Sequence, residues 1–271
     1  MYSEAFRAFL NEAQFTKEML ATGATQIRKA NYATKGIYYQ AFTSLSTGLE
    51  RIGKMCIILD YYIDTKGNFP DFEYMKQNIG HNISLIYDKS IKIVKKRSFE
   101  FKFLAELDAE IHQNILKVLT EFAKGDRYSN INILVNSKQK GDPIQKWYEN
   151  VDKMVFEKNI TPKKKDQILR NAEINHLMIQ PFANVHFISE TGSSIDNIKK
   201  ASFSTGMQEA IAPYRQLYVL QIIRFWVELI SCLQYKAMEL GKEDVPYLSE
   251  VFGLFYNSDS YIKTRKTWDK I

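Results

Sequence analysis

Residues 169–178 read Leu-Arg-Asn-Ala-Glu-Ile-Asn-His-Leu-Met. Arg170 and Asn171 are adjacent, and His176 follows with four residues between Asn171 and itself. Side chains of these types could serve a metal-free cleavage of RNA, or the stretch could be a helix that happens to carry one histidine. Such a reaction needs a base for the 2′-hydroxyl proton and a cation beside the phosphate as negative charge builds. Histidine titrates near neutral pH and can be the base. The planar fork of Arg170 can hold two phosphoryl oxygens, and Asn171 can orient either group. Lys163, Lys164 and Lys165 precede the trio by one to two turns, where they would attract a phosphate backbone.

The element that must position this trio is a helix over 162–180. Thr161 and Pro162 form an N-cap and first-turn pair, and Pro181 marks the end. Six residues on an ideal helix turn by roughly 240°, so Arg170 and His176 do not share a face. His176 falls with Ile168, Leu169, Ala172 and Ile179 on an apolar stripe, while Arg170 lies nearer Ile174 and Leu177. A histidine on such a stripe is more often a covered core residue than a base. Catalysis by this pair therefore needs either a helix end near Pro181 or a second protomer.

Other stretches offer weaker chemistry. Lys89, Lys92 and Lys96 share a helical face with Arg97 nearby. They read as a nucleic-acid stripe or, more simply, as a solvated face. Arg127 in Asp126-Arg127-Tyr128 is a candidate phosphate contact, against a plain Asp-Arg pair stitching a turn. His186 sits in the long loop 183–197, and His81 after Gly80 reads as a capping or packing histidine. Walker loops, GxGxxG, HExxH, GxSxG and clusters of Cys and His are missing from the chain. The expectation is no metal and no cofactor.

Three stretches together resemble the HEPN superfamily, all-helical bundles of bacterial toxins, abortive-infection proteins and nucleotidyltransferase partners. They are GLERIGK (48–54), GNFPDFEYMKQNIGHNISLIYDK (67–89), and Arg170-Asn171 with His176. The resemblance implies an up-and-down helical bundle with additional C-terminal helices. It implies a metal-independent endoribonuclease of defence or toxin type, with Arg170, Asn171 and His176 catalytic and RNA as substrate. It also implies a homodimer that brings two copies of the motif together. The competing reading is a non-catalytic helical module that binds a protein or a nucleotide.

Composition frames both readings. The chain has 271 residues, 45% hydrophobic and 25% charged, a formal net charge of +6 and a pI near 9.0. That balance suits a folded domain with an anionic partner. Only 12 Gly and 6 Pro interrupt it, which favours long helices. Cys56 and Cys232 lie in apolar helical stretches, so thiols in a reducing cytoplasm are expected rather than a disulfide. The N-terminus has no signal-peptide pattern. The most apolar stretch, 217–233, holds Arg224 and Glu228, which argues for a core helix and against a membrane span.

The apolar pattern predicts helices over 3–22, stopped by Thr22–Thr25, and over the Tyr38–Ile63 stripe, whose spacing alternates four and three. Further helices are expected near 72–79, 81–96, 103–124, 143–158, 213–240, 245–255 and 258–268. The whole chain, 1–271, reads as one all-α domain. The polar stretch 136–143 could link sub-bundles 1–135 and 142–271.

Overall fold

The computed structural model describes residues 2–78, 80–138 and 141–269. The fold is all-α, with a single two-stranded hairpin among the described residues. Ile79, Gln139 and Lys140 lie outside them, so the expected helix end at 79 and the middle of the 136–143 stretch are not described.

Helix α1 (Glu4–Lys29) starts where the Ser3 hydroxyl accepts the Phe6 N–H, and it does not stop at Thr22–Thr25. The reason is packing. A Cβ on Gly23 would lie 2.6 Å from Leu45 Cγ, and one on Gly48 would lie 2.7 Å from Leu20 Cγ. These reciprocal glycines let α1 and α2 (Gly36–Asp64) approach closely, and Ala21, Ala24 and Thr25 are buried nearby, the Thr25 hydroxyl accepting the Trp268 N–H at 2.8 Å. Gly23 is therefore a contact residue rather than a breaker, and the tertiary gain outweighs its poor helix propensity. Tyr38, Phe42, Leu45, Leu49, Ile52, Cys56 and Leu59 of the expected stripe are all buried; Ile63 is half-buried.

Next come α3 (Phe72–Asn78), α4 (Ile83–Arg97), α5 (Glu110–Lys124) and α6 (Ser129–Leu134). Asn82 caps α4 through the Leu85 N–H, and Ser98 ends it in the left-handed region. The expected helix from 103 begins only at 110. Glu228 explains the delay, because its carboxylate accepts the N–H groups of Lys102 and Phe103 at 2.7 and 3.3 Å. The Tyr87 hydroxyl accepts the Leu107 N–H at 2.7 Å. With its amides satisfied by side chains, this segment needs no helix.

Asp142 caps α7 (Pro143–Trp147), and a π-helical turn at Tyr148–Asp152 joins it to α8 (Lys153–Asn159). α9 (Pro162–Ile179) follows, with the Thr161 hydroxyl accepting the Lys164 N–H. The hairpin pairs β1 (Phe187–Ile188) with β2 (Ser194–Ile195) in antiparallel register. α10 (Ile198–Met238) is the axis of the molecule. It starts fifteen residues earlier than Pro213, at the Asn197 cap, and carries Pro213 inside. Proline lacks an N–H but tolerates helical φ, and packing around α10 offsets the lost bond.

α10 packs against α1, α2, α5, α8, α9, α11 (Leu248–Phe252) and α12 (Asp259–Thr264). One continuous buried cluster runs from Phe9 in α1 to Trp268 near the C-terminus and takes side chains from both expected sub-bundles. α10 is long and apolar enough to cross a membrane, but 83% of its apolar window is buried, as in the core helix of a soluble protein. Two charged side chains in its apolar stretch act as staples. Glu228 holds the 102–103 amides, while Arg224 pairs with Asp259 at 2.7 Å, donates to Asn257 O and lies 3.8 Å from the Phe103 ring.

Candidate functional site

α9 carries the Arg170, Asn171 and His176 trio. It docks on the first turns of α10, and of its own residues only Ile168 and Ala172 are fully buried. Gly206 permits this approach: a Cβ there would lie 2.8 Å from Ile168 Cγ2. The expected apolar stripe is thus only half real. Leu169 and Ile179 are exposed, together with Ile174, Leu177, Met178 and Phe182.

The trio is divided. Asn171 lines a groove of about 490 Å³ between α9 and α10, with Lys164, Asn175, Ser202, Thr205 and Glu209. Asn175 Nδ2 donates to Ser202 Oγ at 2.8 Å across it. Arg170 is exposed and outside that groove. His176 is half-buried, and its Nδ1 is buried without a hydrogen-bond partner among the described residues. One copy of the chain does not bring the arginine and the imidazole into a single cleft.

Helical angles give their placement around α9. Relative to Glu173, Leu169 and Leu177 lie at roughly −40° and +40°, and His176 and Arg170 at roughly −60° and +60°. All four flank one face centred on Glu173. That face is outward: Leu169, Arg170, Glu173 and Leu177 are exposed. Glu173 pairs with Lys199 of α10, and that hydrogen bond holds its carboxyl below the usual range.

The lysines preceding the trio differ among themselves. Lys163 and Lys164 are exposed at the start of α9, and Lys164 Nζ donates to Gln167 at 3.2 Å. Lys165 folds back, donating to Glu157 O at 3.1 Å with its Nζ 5.2 Å from the Phe156 ring centre. The α4 group does not form a free basic stripe. Lys96 and Arg97 both bind Asp60 and Asp64 of α2, leaving Lys92 exposed. Arg127 is exposed and lies 5.3 Å from the Tyr128 ring, while Asp126 pairs with Lys146. His186 is exposed in the loop before the hairpin.

Two assemblies were not legible as sites in the sequence. Glu50, Lys54 and His81, all within the stretches that resemble HEPN proteins, meet in space. The Glu50 carboxylate accepts from Lys54 Nζ at 2.6 Å and lies 3.0 Å from His81 Nδ1. His81 therefore neither caps nor packs: Asn82 is the cap, and the His81 side chain is 74% exposed.

The second assembly is buried. Arg215 of α10 and Asp152 of the π turn form an ion pair with both side chains at 0% exposure. Arg215 Nε reaches Asp152 Oδ1 at 2.6 Å, and its Nη atoms reach Ala30 O, Tyr38 Oη and Gln208 Oε1. Trp147 Nε1 donates to the same carboxylate at 2.9 Å. Gln208, its carbonyl engaged by Arg215, turns its amide nitrogen 2.5 Å from Glu190 Oε1 in the hairpin turn. Burial pushes the Glu190 and Asp152 carboxyls up, opposed by Arg215. For Arg215, burial acts downward but Asp152 outweighs it, leaving the guanidinium above its ordinary value. This centre fastens α2, the π turn and the hairpin to the part of α10 next to the α9 groove.

Among the described residues no group of three or more His, Cys, Asp or Glu side chains is placed to hold a metal ion. Comparison of the chain with protein-family models, with curated proteins and with solved structures returns no match.

Proposed function

We propose that the chain is a cytoplasmic helical RNA-binding protein of bacterial defence or toxin type, and that it cleaves RNA without a metal when two copies pair through α9. The observation that carries this reading is the buried, unpartnered Nδ1 of His176 beside an exposed helix face. Buried polar atoms almost always have a partner, and an exception points to a function or a missing neighbour.

A two-fold axis through Glu173 suits that face. Two antiparallel copies of α9 would set Leu169 level with the partner's Leu177, and Arg170 level with the partner's His176, as an isologous contact requires. His176 would take the 2′-hydroxyl proton. The 2′-oxygen would then attack phosphorus while Arg170 holds the phosphoryl oxygens; the bond to the 5′-oxygen would break, leaving a 2′,3′-cyclic phosphate, and the departing 5′-oxygen would take a proton from the His176 imidazolium or from water. Lys163 and Lys164 would guide the strand, and Asn171 would hold it in the α9–α10 groove.

The test is cleavage of total RNA in metal-free buffer by the wild type and by His176→Ala. The reading expects cleavage by the wild type and its loss in the variant. Equal cleavage by both, or none by either, rejects the proposed pair.

A further inference from the structure

α6 is a helix that leaves its apolar residues outside. It fully buries only Ser129, whose hydroxyl lies 2.9 Å from the Tyr39 hydroxyl. Tyr128, Ile131, Ile133, Leu134 and Val135 are exposed, Leu134 at 83% and Val135 at 67%. Single exposed apolar side chains are ordinary, but five within eight residues, with Ile131, Leu134 and Val135 at the i, i+3, i+4 spacing of one helix face, signal an interaction surface.

Charge selects the kind of occupant. Lys117 and Lys124 on α5, Arg127 before the patch and Lys138 after it are all exposed. The acids of the same region are engaged elsewhere. Lys146 takes Glu121 and Asp126, and Asp142 accepts the N–H groups of Ile144 and Gln145. The surface is therefore apolar and bordered by cations. A second copy related by a two-fold axis would set those cations against themselves. RNA would meet the charge but not the patch: bases stack on aromatic rings, and here four of the five side chains are aliphatic. None of the five lines a cavity described above, so the patch offers no socket for a partner's anchor residues.

Hydrocarbon beneath anionic headgroups satisfies both features. Aliphatic side chains enter the acyl boundary, and tyrosine and arginine settle at the headgroup level, as Arg127 stacked near Tyr128 is prepared to do. We propose that residues 124–138 form a peripheral contact with anionic lipid, Ile131, Leu134 and Val135 inserting while Lys124, Arg127 and Lys138 meet the headgroups. This is a surface contact and not a span, and it is independent of the RNA reading.

Flotation with phosphatidylcholine vesicles, with and without phosphatidylglycerol, tests it on the full chain. The wild type should bind the anionic vesicles about tenfold more than the neutral ones, and added salt should weaken that binding. Ile131→Asp with Leu134→Asp should lower binding by about tenfold or more. Tyr247→Asp, at a site as exposed as Ile131 (57% each), should bind like the wild type. Val135→Asp provides a second probe if the double variant melts early. Absent or equal binding to the two vesicle types overturns the proposal. So does binding that survives the α6 substitutions. A dimer in lipid-free sedimentation that the same substitutions abolish would assign the patch to a second copy and overturn it as well.

Discussion

α9 and the Arg215 centre put charged side chains to opposite uses. On α9, Arg170 and His176 are six residues apart, exposed or half-buried, and separated within one copy. Around Arg215, groups from α1, α2, the π turn, the hairpin and α10 converge with no exposure at the ion pair. Removing one partner of a buried pair leaves an uncompensated charge, whereas an exposed arginine keeps its water. The buried centre is structural, whereas the open helix keeps its charged side chains at the surface.

The largest expected effect follows from that contrast. Arg215→Met strands Asp152 in the core and should cost about 3–5 kcal/mol in urea unfolding. Arg170→Met should stay within about 0.5 kcal/mol of the wild type. Similar losses for both would erase the distinction.

A smaller effect is expected for assembly. Leu177→Asp should weaken self-association by about tenfold or more in sedimentation equilibrium, because the new charge would be set against the partner's Leu169 in an apolar contact. Its melting temperature should hardly change, since Leu177 contributes little to the core. A monomeric wild type would remove the reason for the exposed face.

The smallest effect concerns pH. The unfolded chain ionises Glu190 in the ordinary carboxylate range, about pH 4.3. Burial makes the folded protein hold that proton to higher pH. Stability is therefore lost as pH rises from the ordinary value through the raised one. Glu190→Gln still accepts from Gln208 and removes that ionisation. Its unfolding free energy should decline less than the wild type's as pH rises above the ordinary carboxylate value, as urea unfolding at a series of pH values would show. An unchanged slope would show that Glu190 does not carry it.

Local periodicity revealed the helical class, the α2 stripe and the capped start of α9, because those depend on near neighbours. It misjudged elements whose ends are set from far away. Gly23 continues α1 because Leu45 fills the space beside it, and 99–109 stays irregular because Glu228, more than a hundred residues on, takes its amides. The candidate site was legible to the same extent. Arg170, Asn171 and His176 are close in sequence and easily found, but which face each occupies depends on where α9 meets α10. Glu50, Lys54 and His81 could not be joined from spacing, since their meeting depends on how the chain returns after the 64–72 turn. For Arg215, only its place in an apolar helix gave any sign, and nothing nearby names Asp152 as its partner.

The central claim is that Arg170 and His176 act across two copies of α9. It is tested most directly by mixing Arg170→Ala with His176→Ala and measuring metal-free RNA cleavage. Each variant alone should be inactive. In an exchanged mixture half of the dimers are mixed and each holds one intact pair, so activity should return to about a quarter of the wild-type level. A mixture as inactive as its components, while the wild type cleaves, would contradict the account.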